Sequence, residues 1–219
     1  MHRDRLGAAA GIIWIVLLIV SFALIGEAPE TEDSSAEEIA AYFTENKDSI
    51  IAGVLVQSLA LVALLYFAGY LRRVLRAAEG EGGVLATVAL AGAIVLAVGA
   101  AIDSTLSAAL AESAENVDPV AIQALQALWE NDFVPFLVGM VTFLSATGLS
   151  IIRHRALPSW LGWVPLALVV SMLIAGITDI EAFWVIFGFG TALWVLVLSG
   201  ILAARAGRPG KPAERSTAI

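Results

Sequence analysis

Long apolar stretches alternate with short polar segments along the whole chain. An α-helix needs about 20 apolar residues to cross the ~30 Å hydrocarbon core of a bilayer, so each stretch predicts a membrane-spanning helix. The six predicted spans cover residues 6–25, 49–71, 84–114, 133–152, 161–177 and 183–204. The third stretch would form a helix of about 45 Å at a rise of 1.5 Å per residue, so it must tilt or project beyond the membrane.

Two of the polar segments contain an amphipathic helical pattern. In the first, Ser35 and Glu38 have the spacing of a capping box, and the apolar residues Ile39, Tyr42 and Phe43 follow. In the second, Asp118 and Pro119 suit the N-cap and first helical positions, and the apolar stripe is Ile122, Leu125, Leu128 and Trp129. We therefore expect two short amphipathic outer helices that lie at the membrane interface and cover the bundle. A weak parallel repeat of the first and second pairs of spans is one interpretation of this shared plan.

The basic residues predict the topology. Of the 12 lysines and arginines, all except Lys47 lie before the first span, between spans 2 and 3 or 4 and 5, or after the sixth. Because positive charge near a span resists translocation, both termini are predicted to be cytoplasmic. Of the 20 acids, only Asp4, Glu79, Glu81 and Glu214 lie on that side. A cleaved signal ending near Glu27 is the alternative for the first span, but its ~20-residue apolar run favours a retained helix.

Composition supports an integral membrane protein. Hydrophobic residues make up 59% and charged residues 15%, against about 45–50% and about 25% in soluble domains. The chain is therefore expected to form a single domain over residues 1–206, followed by a disordered cytoplasmic tail over residues 207–219. The lipid bilayer is the expected environment, and no basic patch suggests nucleic-acid binding. The bias towards arginine, alanine and leucine favours a bacterial source.

The chain lacks the residues that most catalytic and cofactor chemistries require. The chain has no cysteine, and its two histidines, His2 and His154, lie at predicted cytoplasmic ends. Haem, zinc and Ser-His catalysis therefore have no ligands or base inside the bundle, and no cofactor or metal is expected. No lysine lies within a predicted span, and no nucleotide-binding glycine motif is present. The chain is not expected to be an enzyme, and a carboxylate-dependent lipid-modifying activity is the least favoured hypothesis.

Three aspartates and one glutamine form the candidate site. Asp103, Asp132 and Asp179 each lie near the outer end of a span, on a helix face of small residues. Gln57 lies on a similar face about 12 Å deeper. Small-residue faces pack helix on helix, so these side chains would converge on an outward-opening pocket without a basic partner. Crowded carboxylates in such a pocket bind a cation or share protons.

A structural role for the same residues is the alternative. Asp132 and Asp179 lie within a residue or two of the span ends, where a carboxylate is simply hydrated. Asp132 would suit the N-cap of the fourth span, and Gln57 would suit a hydrogen bond to a neighbouring helix.

A short motif carries a family resemblance. The basic turn Arg153-His154-Arg155 is followed by Leu157-Pro158-Ser159-Trp160-Leu161-Gly162-Trp163. This pattern resembles small six-span bacterial inner-membrane proteins that are grouped as a domain of unknown function. The resemblance implies the fold and the compartment, and it transfers no catalytic residues.

These patterns predict an all-α bundle of six transmembrane helices with two short outer helices. The leading functional hypothesis is binding or transport of a small cation, proton or cationic solute through Gln57, Asp103, Asp132 and Asp179. The alternative is a non-catalytic structural or partner-binding membrane protein. That alternative requires an exposed apolar stripe on residues 39–43 or 122–129, for a membrane-protein partner or a second copy.

Overall fold

The structure is a computed structural model that describes residues 2–178 and 181–206. Within these ranges the chain forms eight helices and no strand. The helices are α1 (His2–Ile25), α2 (Ala36–Glu45), α3 (Lys47–Glu79), α4 (Val84–Ser113), α5 (Pro119–Glu130), α6 (Phe133–His154), α7 (Trp160–Thr178) and α8 (Glu181–Ala206). Six are long and apolar enough to cross a membrane, as predicted. The predicted tail and Asp179 lie outside the described residues.

The six long helices form a closed ring. Helix α1 packs along α3, α3 along α4, α4 along α6, α6 along α7, α7 along α8, and α8 returns to α1. The short helices α2 and α5 pack against each other and against α4, at the end of the ring where α1 ends and α3 begins. We call this the α2–α5 end. Its two short helices come from different halves of the sequence, α2 from the first half and α5 from the second.

Apolar side chains fill the ring and also cover its outside. Inside, Trp14, Phe67, Phe143 and Trp194 belong to one large buried cluster, in which the Trp194 indole N–H donates to the Leu161 carbonyl at 2.9 Å. Outside, every long helix exposes large apolar side chains, including Ile19, Leu59, Val98, Val138, Val170 and Leu193. A helix that is apolar all round is typical of a membrane span rather than of a water-soluble bundle.

Glycines bring α4 and α6 into backbone contact. A Cβ atom added to Gly139 would lie 2.3 Å from the Leu96 nitrogen, and one added to Gly92 would lie 2.4 Å from the Phe143 nitrogen. Gly99 is similarly close to Phe136, at 2.9 Å. The prediction that small-residue faces pack helix on helix is confirmed for this pair.

The predicted start signals of both short helices are confirmed. The Ser35 backbone N–H donates to Glu38 at 2.9 Å, and the Glu38 backbone N–H donates to the Ser35 hydroxyl at 3.3 Å. The first of these bonds lowers the pKa of the exposed Glu38 carboxyl. In α5, the Val120 N–H donates to Asp118 at 2.9 Å. Side-chain acceptors thus satisfy N–H groups that lack partners in the first helical turn.

Helix α3 is longer than the apolar run that predicts it. The predicted span ends at residue 71, but the helix continues to Glu79. The extra segment places Leu75 in the core, fully buried. It ends where Gly80 adopts φ 77° and its N–H donates to the Arg76 carbonyl. Hydropathy marks where a span leaves the apolar layer, whereas capping and packing decide where the helix stops.

Candidate functional site

A cavity of about 580 Å³ lies at the α2–α5 end. Its walls come from α1, the connection of residues 26–32, α3, α4 and α5. The connection supplies three exposed carboxylates, and α5 supplies a fourth; these are Glu27, Glu30, Glu32 and Glu130. Among the described residues that line the cavity, none is a lysine, arginine or histidine. Carboxylates without basic neighbours make the potential at this cavity negative, which attracts cations.

Asp103 lies in the cavity wall, half-buried and held from two sides. Its Oδ1 accepts a hydrogen bond from the Trp129 indole N–H at 2.8 Å. Its Oδ2 accepts a longer bond from the Gln57 amide at 3.4 Å, and the Gln57 Oε1 in turn accepts from the Ser21 hydroxyl at 3.2 Å. All of these donors are neutral. A carboxylate has about four acceptor positions, so Asp103 retains capacity to accept bonds from a ligand.

Hydrogen bonds join α5 to residues 29–34, which include the end of the connection that lines the cavity. The Thr31 backbone N–H donates to Glu130 Oε1 at 3.0 Å, and the Gln123 amide donates to the Ser34 carbonyl at 3.3 Å. The Gln126 amide nitrogen donates both to Glu130 Oε1, at 3.0 Å, and to the Pro29 carbonyl. These bonds fix the orientation of the Gln126 amide group.

Gln126 also presents an unsatisfied acceptor. The residue lines the cavity with a side chain that is 0% exposed, yet its Oε1 accepts no hydrogen bond. The Thr31 hydroxyl, also part of the lining, is likewise buried without a partner. Most buried polar atoms in folded proteins are paired. Two residues of this cavity wall therefore carry a buried oxygen that no donor of the described residues satisfies.

Two hydroxyl groups bind backbone carbonyls at the end of α1, beside the cavity. The Tyr42 hydroxyl donates to the Ile25 carbonyl at 2.9 Å, and the Ser49 hydroxyl donates to the Leu24 carbonyl at 2.6 Å. Burial, and secondarily the nearby Glu27 carboxylate, raise the pKa of Tyr42. The chain then turns at Gly26, whose φ of 73° favours glycine.

The structure brings together two of the four residues predicted for the site. Gln57 and Asp103 share a hydrogen bond and both line the cavity. Asp132 does not line it. Asp132 is the N-cap residue of α6, as the structural alternative predicts, but its side chain makes no capping hydrogen bond and its Oδ2 is buried and unpaired. Asp179 falls outside the described residues.

Several cavity residues were not predicted from the sequence. The apolar stripe predicted for α5 includes Trp129, but its indole N–H donates a hydrogen bond to Asp103. Gln126 lies one turn after Ile122 on the buried face of the same helix. A glutamine on an otherwise apolar face, and an indole N–H that needs an acceptor when buried, are signals present in the sequence. The carboxylates of the connection lacked any periodicity that would have placed them.

The apolar stripes of α2 and α5 are covered by the chain itself. Ile39, Phe43 and Ile122 are each at most 1% exposed, in a second buried cluster that also contains Leu110. Trp129 packs edge-on against Phe43, with ring centroids 6.3 Å apart. Most of the surface that the partner-binding hypothesis requires is therefore already occupied, and Leu128 is the large apolar member of the stripes that stays exposed.

Comparisons of the chain with known protein families, with curated proteins and with solved structures gave no match. What the cavity can bind therefore has to follow from its own walls. These walls combine negative charge, unpaired acceptors and an apolar face, and the described part of the chain places no basic group among them.

Proposed function

We propose that this chain is a multi-pass bacterial inner-membrane protein that binds a small cationic solute in the cavity at the α2–α5 end. In this proposal both termini are cytoplasmic, and α2, α5 and the cavity face the outside. The distribution of basic residues supports this orientation, because arginines cluster at the opposite end of the bundle. The sequence resemblance around Trp160 and Trp163 supports the bacterial compartment.

Membrane insertion is supported by the outside of the ring. Exposed apolar residues such as Leu59 and Leu193, 60% and 64% exposed, would be costly in water. Each fully transferred leucine side chain gains about 1.5–3 kcal/mol in an apolar environment. The hydrocarbon region of a bilayer is the environment that matches such a belt on all six long helices.

One observation carries the binding proposal: Asp103 lies in an acid-lined cavity to which residues 2–178 and 181–206 contribute no basic side chain. Its hydrogen-bond donors, Trp129 and Gln57, orient the carboxylate but do not neutralise it. A partly buried carboxylate without a positive partner is costly unless a cation or a proton compensates it. A cation from outside would meet the exposed acids of the connection first and Asp103 deeper in the cavity.

Binding is better supported than transport. Beyond Gln57, the interior of the ring is filled by the large apolar cluster that contains Phe67 and Phe143, both fully buried. Passage of an ion would require this cluster to open. The described conformation therefore favours a site that is open at one end.

The test is a thermal-stability screen of the purified protein in lipid nanodiscs. Inorganic and organic cations are added at constant ionic strength to the parent, to Asp103→Asn and to Glu112→Gln. Glu112 is an exposed residue of the same helix that does not line the cavity, so its variant controls for the loss of one charge. A ligand at 100 times its Kd stabilises the folded state by about 2.7 kcal/mol.

We expect at least one cation to raise the Tm of the parent and of Glu112→Gln but not of Asp103→Asn. Identical responses of all three proteins to every cation would refute the proposal.

A further inference from the structure

The dimensions of the cavity favour an organic cation over a metal ion. Calcium requires about six to eight oxygens at about 2.3–2.6 Å, and magnesium about six in a tighter octahedron. Among the described residues, no three carboxylates or histidines lie close enough together to hold a metal ion. The volume of about 580 Å³ falls in the range of sites that enclose small organic ligands.

The cavity wall provides an apolar surface beside the charge. Phe22 and Ile25 from α1 and Trp129 from α5 line the same space as Asp103. Organic ligand sites typically combine such apolar walls with a few polar groups that fix orientation. A ligand with a cationic group and a compact apolar body matches this combination of a carboxylate and an apolar wall.

The unpaired atoms specify which kind of cationic group fits. Gln126 is 0% exposed, and its Oε1 accepts no bond, while its amide nitrogen is already committed to Glu130 and Pro29. Asp103 retains acceptor capacity, because the described residues bring it two donors, both neutral, against about four acceptor positions. Such acceptors are satisfied by N–H or O–H donors, and the N–H group is the donor that an organic cation can bring. A quaternary ammonium has no N–H to offer, whereas a primary or secondary ammonium has at least two.

We propose that the cavity recognises a primary or secondary organic ammonium with a small apolar body, and that Asp103 and Gln126 accept its N–H groups. This inference rests on the proposed cation-binding function and adds the class of ligand. The acidic connection concentrates the cation at the mouth, Asp103 provides the charge, Gln126 discriminates by hydrogen bonding, and Phe22 and Trp129 contact the apolar body.

The experiment compares three matched probes by calorimetry, with the full-length protein in nanodiscs. They are 2-phenylethylammonium, its N,N,N-trimethyl derivative and the neutral 2-phenylethanol. We expect the primary ammonium to bind at least tenfold more tightly than either relative. Asp103→Asn should weaken its binding at least tenfold, whereas Glu112→Gln should leave it unchanged. Gln126→Met should bring the affinities of the primary and quaternary ammonium close to each other, with its Tm measured to verify folding.

The outcomes separate the two proposals. Equal binding of the primary and quaternary ammonium, both lost in Asp103→Asn, would retain the cation site and overturn recognition through N–H groups. Binding of sodium or calcium, but of no ammonium, would retain the cation site and overturn the ligand class. Failure of every cation to bind the folded parent would overturn both proposals. Unchanged selectivity in a folded Gln126→Met protein would overturn the assignment of Gln126.

Discussion

At the scale of single residues, Asp103 depends on a neighbour that belongs to a different helix. The Trp129 indole of α5 donates to it at 2.8 Å, while the Gln57 bond from α3 is longer, at 3.4 Å. The shorter bond provides the stronger interaction, because hydrogen-bond strength falls with distance. Trp129 thus has two tasks: its ring packs on Phe43, and its N–H orients the carboxylate.

We predict that Trp129→Phe lowers stability and weakens cation binding. The substitution keeps an aromatic ring against Phe43 but removes the donor to Asp103. A hydrogen bond to a charged group is worth about 1.5–3 kcal/mol. Thermal unfolding in nanodiscs and calorimetry with 2-phenylethylammonium measure the two effects. Trp163→Phe is the control, since Trp163 is 62% exposed on α7. Equal Tm values and affinities for the two variants would show that the indole N–H contributes nothing.

At the scale of helices, α4 and α6 pack with their backbones in contact, and α4 also carries Asp103. Gly92, Gly99 and Gly139 let the two backbones meet without side chains between them. Because Asp103 follows Gly99 by about one turn on α4, this close contact also positions the carboxylate relative to α6.

We predict that Gly139→Ala destabilises the protein, because the new methyl group would lie 2.3 Å from the backbone nitrogen of Leu96. Overpacking of this kind costs about 1–3 kcal/mol, and a rigid backbone neighbour places the cost towards the upper end. Gly69→Ala is the matched control, since a Cβ there meets nothing within 4 Å. Removing a helical glycine should make that control neutral or slightly stabilising. Similar melting temperatures for the two variants would contradict the proposed backbone contact.

Helices were predicted more accurately from sequence than the contacts between them. The spans follow from apolar length, and the starts of α2 and α5 follow from Ser35 and Asp118, because these signals act within a few residues of chain. The face of α4 that carries Asp103 follows from its small residues. Periodicity identifies the helix face on which Asp103 lies, but it does not identify the side chain that contacts this face. The hydrogen bond from Trp129 to Asp103 is therefore not predicted from the sequence. The connection of residues 26–32 has no periodic pattern, and only the folded chain places its acids around the cavity.

At the scale of the whole molecule, opposite charges separate to opposite ends of the bundle. The acids of the cavity lie at the α2–α5 end, and Arg72, Arg73, Arg76, Arg153 and Arg155 lie at the other. Cationic residues stay preferentially on the cytoplasmic side of a membrane, so the cavity is expected to open outward.

We predict that a membrane-impermeant maleimide added to intact cells labels Glu30→Cys but not Gly210→Cys. The chain contains no cysteine, so every label reports the introduced thiol. Permeabilised cells provide the control, because both variants should then react. Labelling of position 210 but not of position 30 in intact cells would reverse the topology and place the cavity on the cytoplasmic side.

The cavity also has a consequence for how the protein matures. Its walls combine residues 22–57 with residues 103–130, and hydrogen bonds join the two stretches at Thr31 and Glu130, at Pro29 and Gln126, and at Gln57 and Asp103. Neither stretch encloses the space alone, so the pocket does not exist until the translating ribosome has passed α5. A ligand in the pocket contacts both stretches, although they are synthesised at different times. It therefore stabilises the state in which they are assembled. We therefore expect a ligand supplied during synthesis to increase the yield of assembly-impaired variants such as Gly139→Ala.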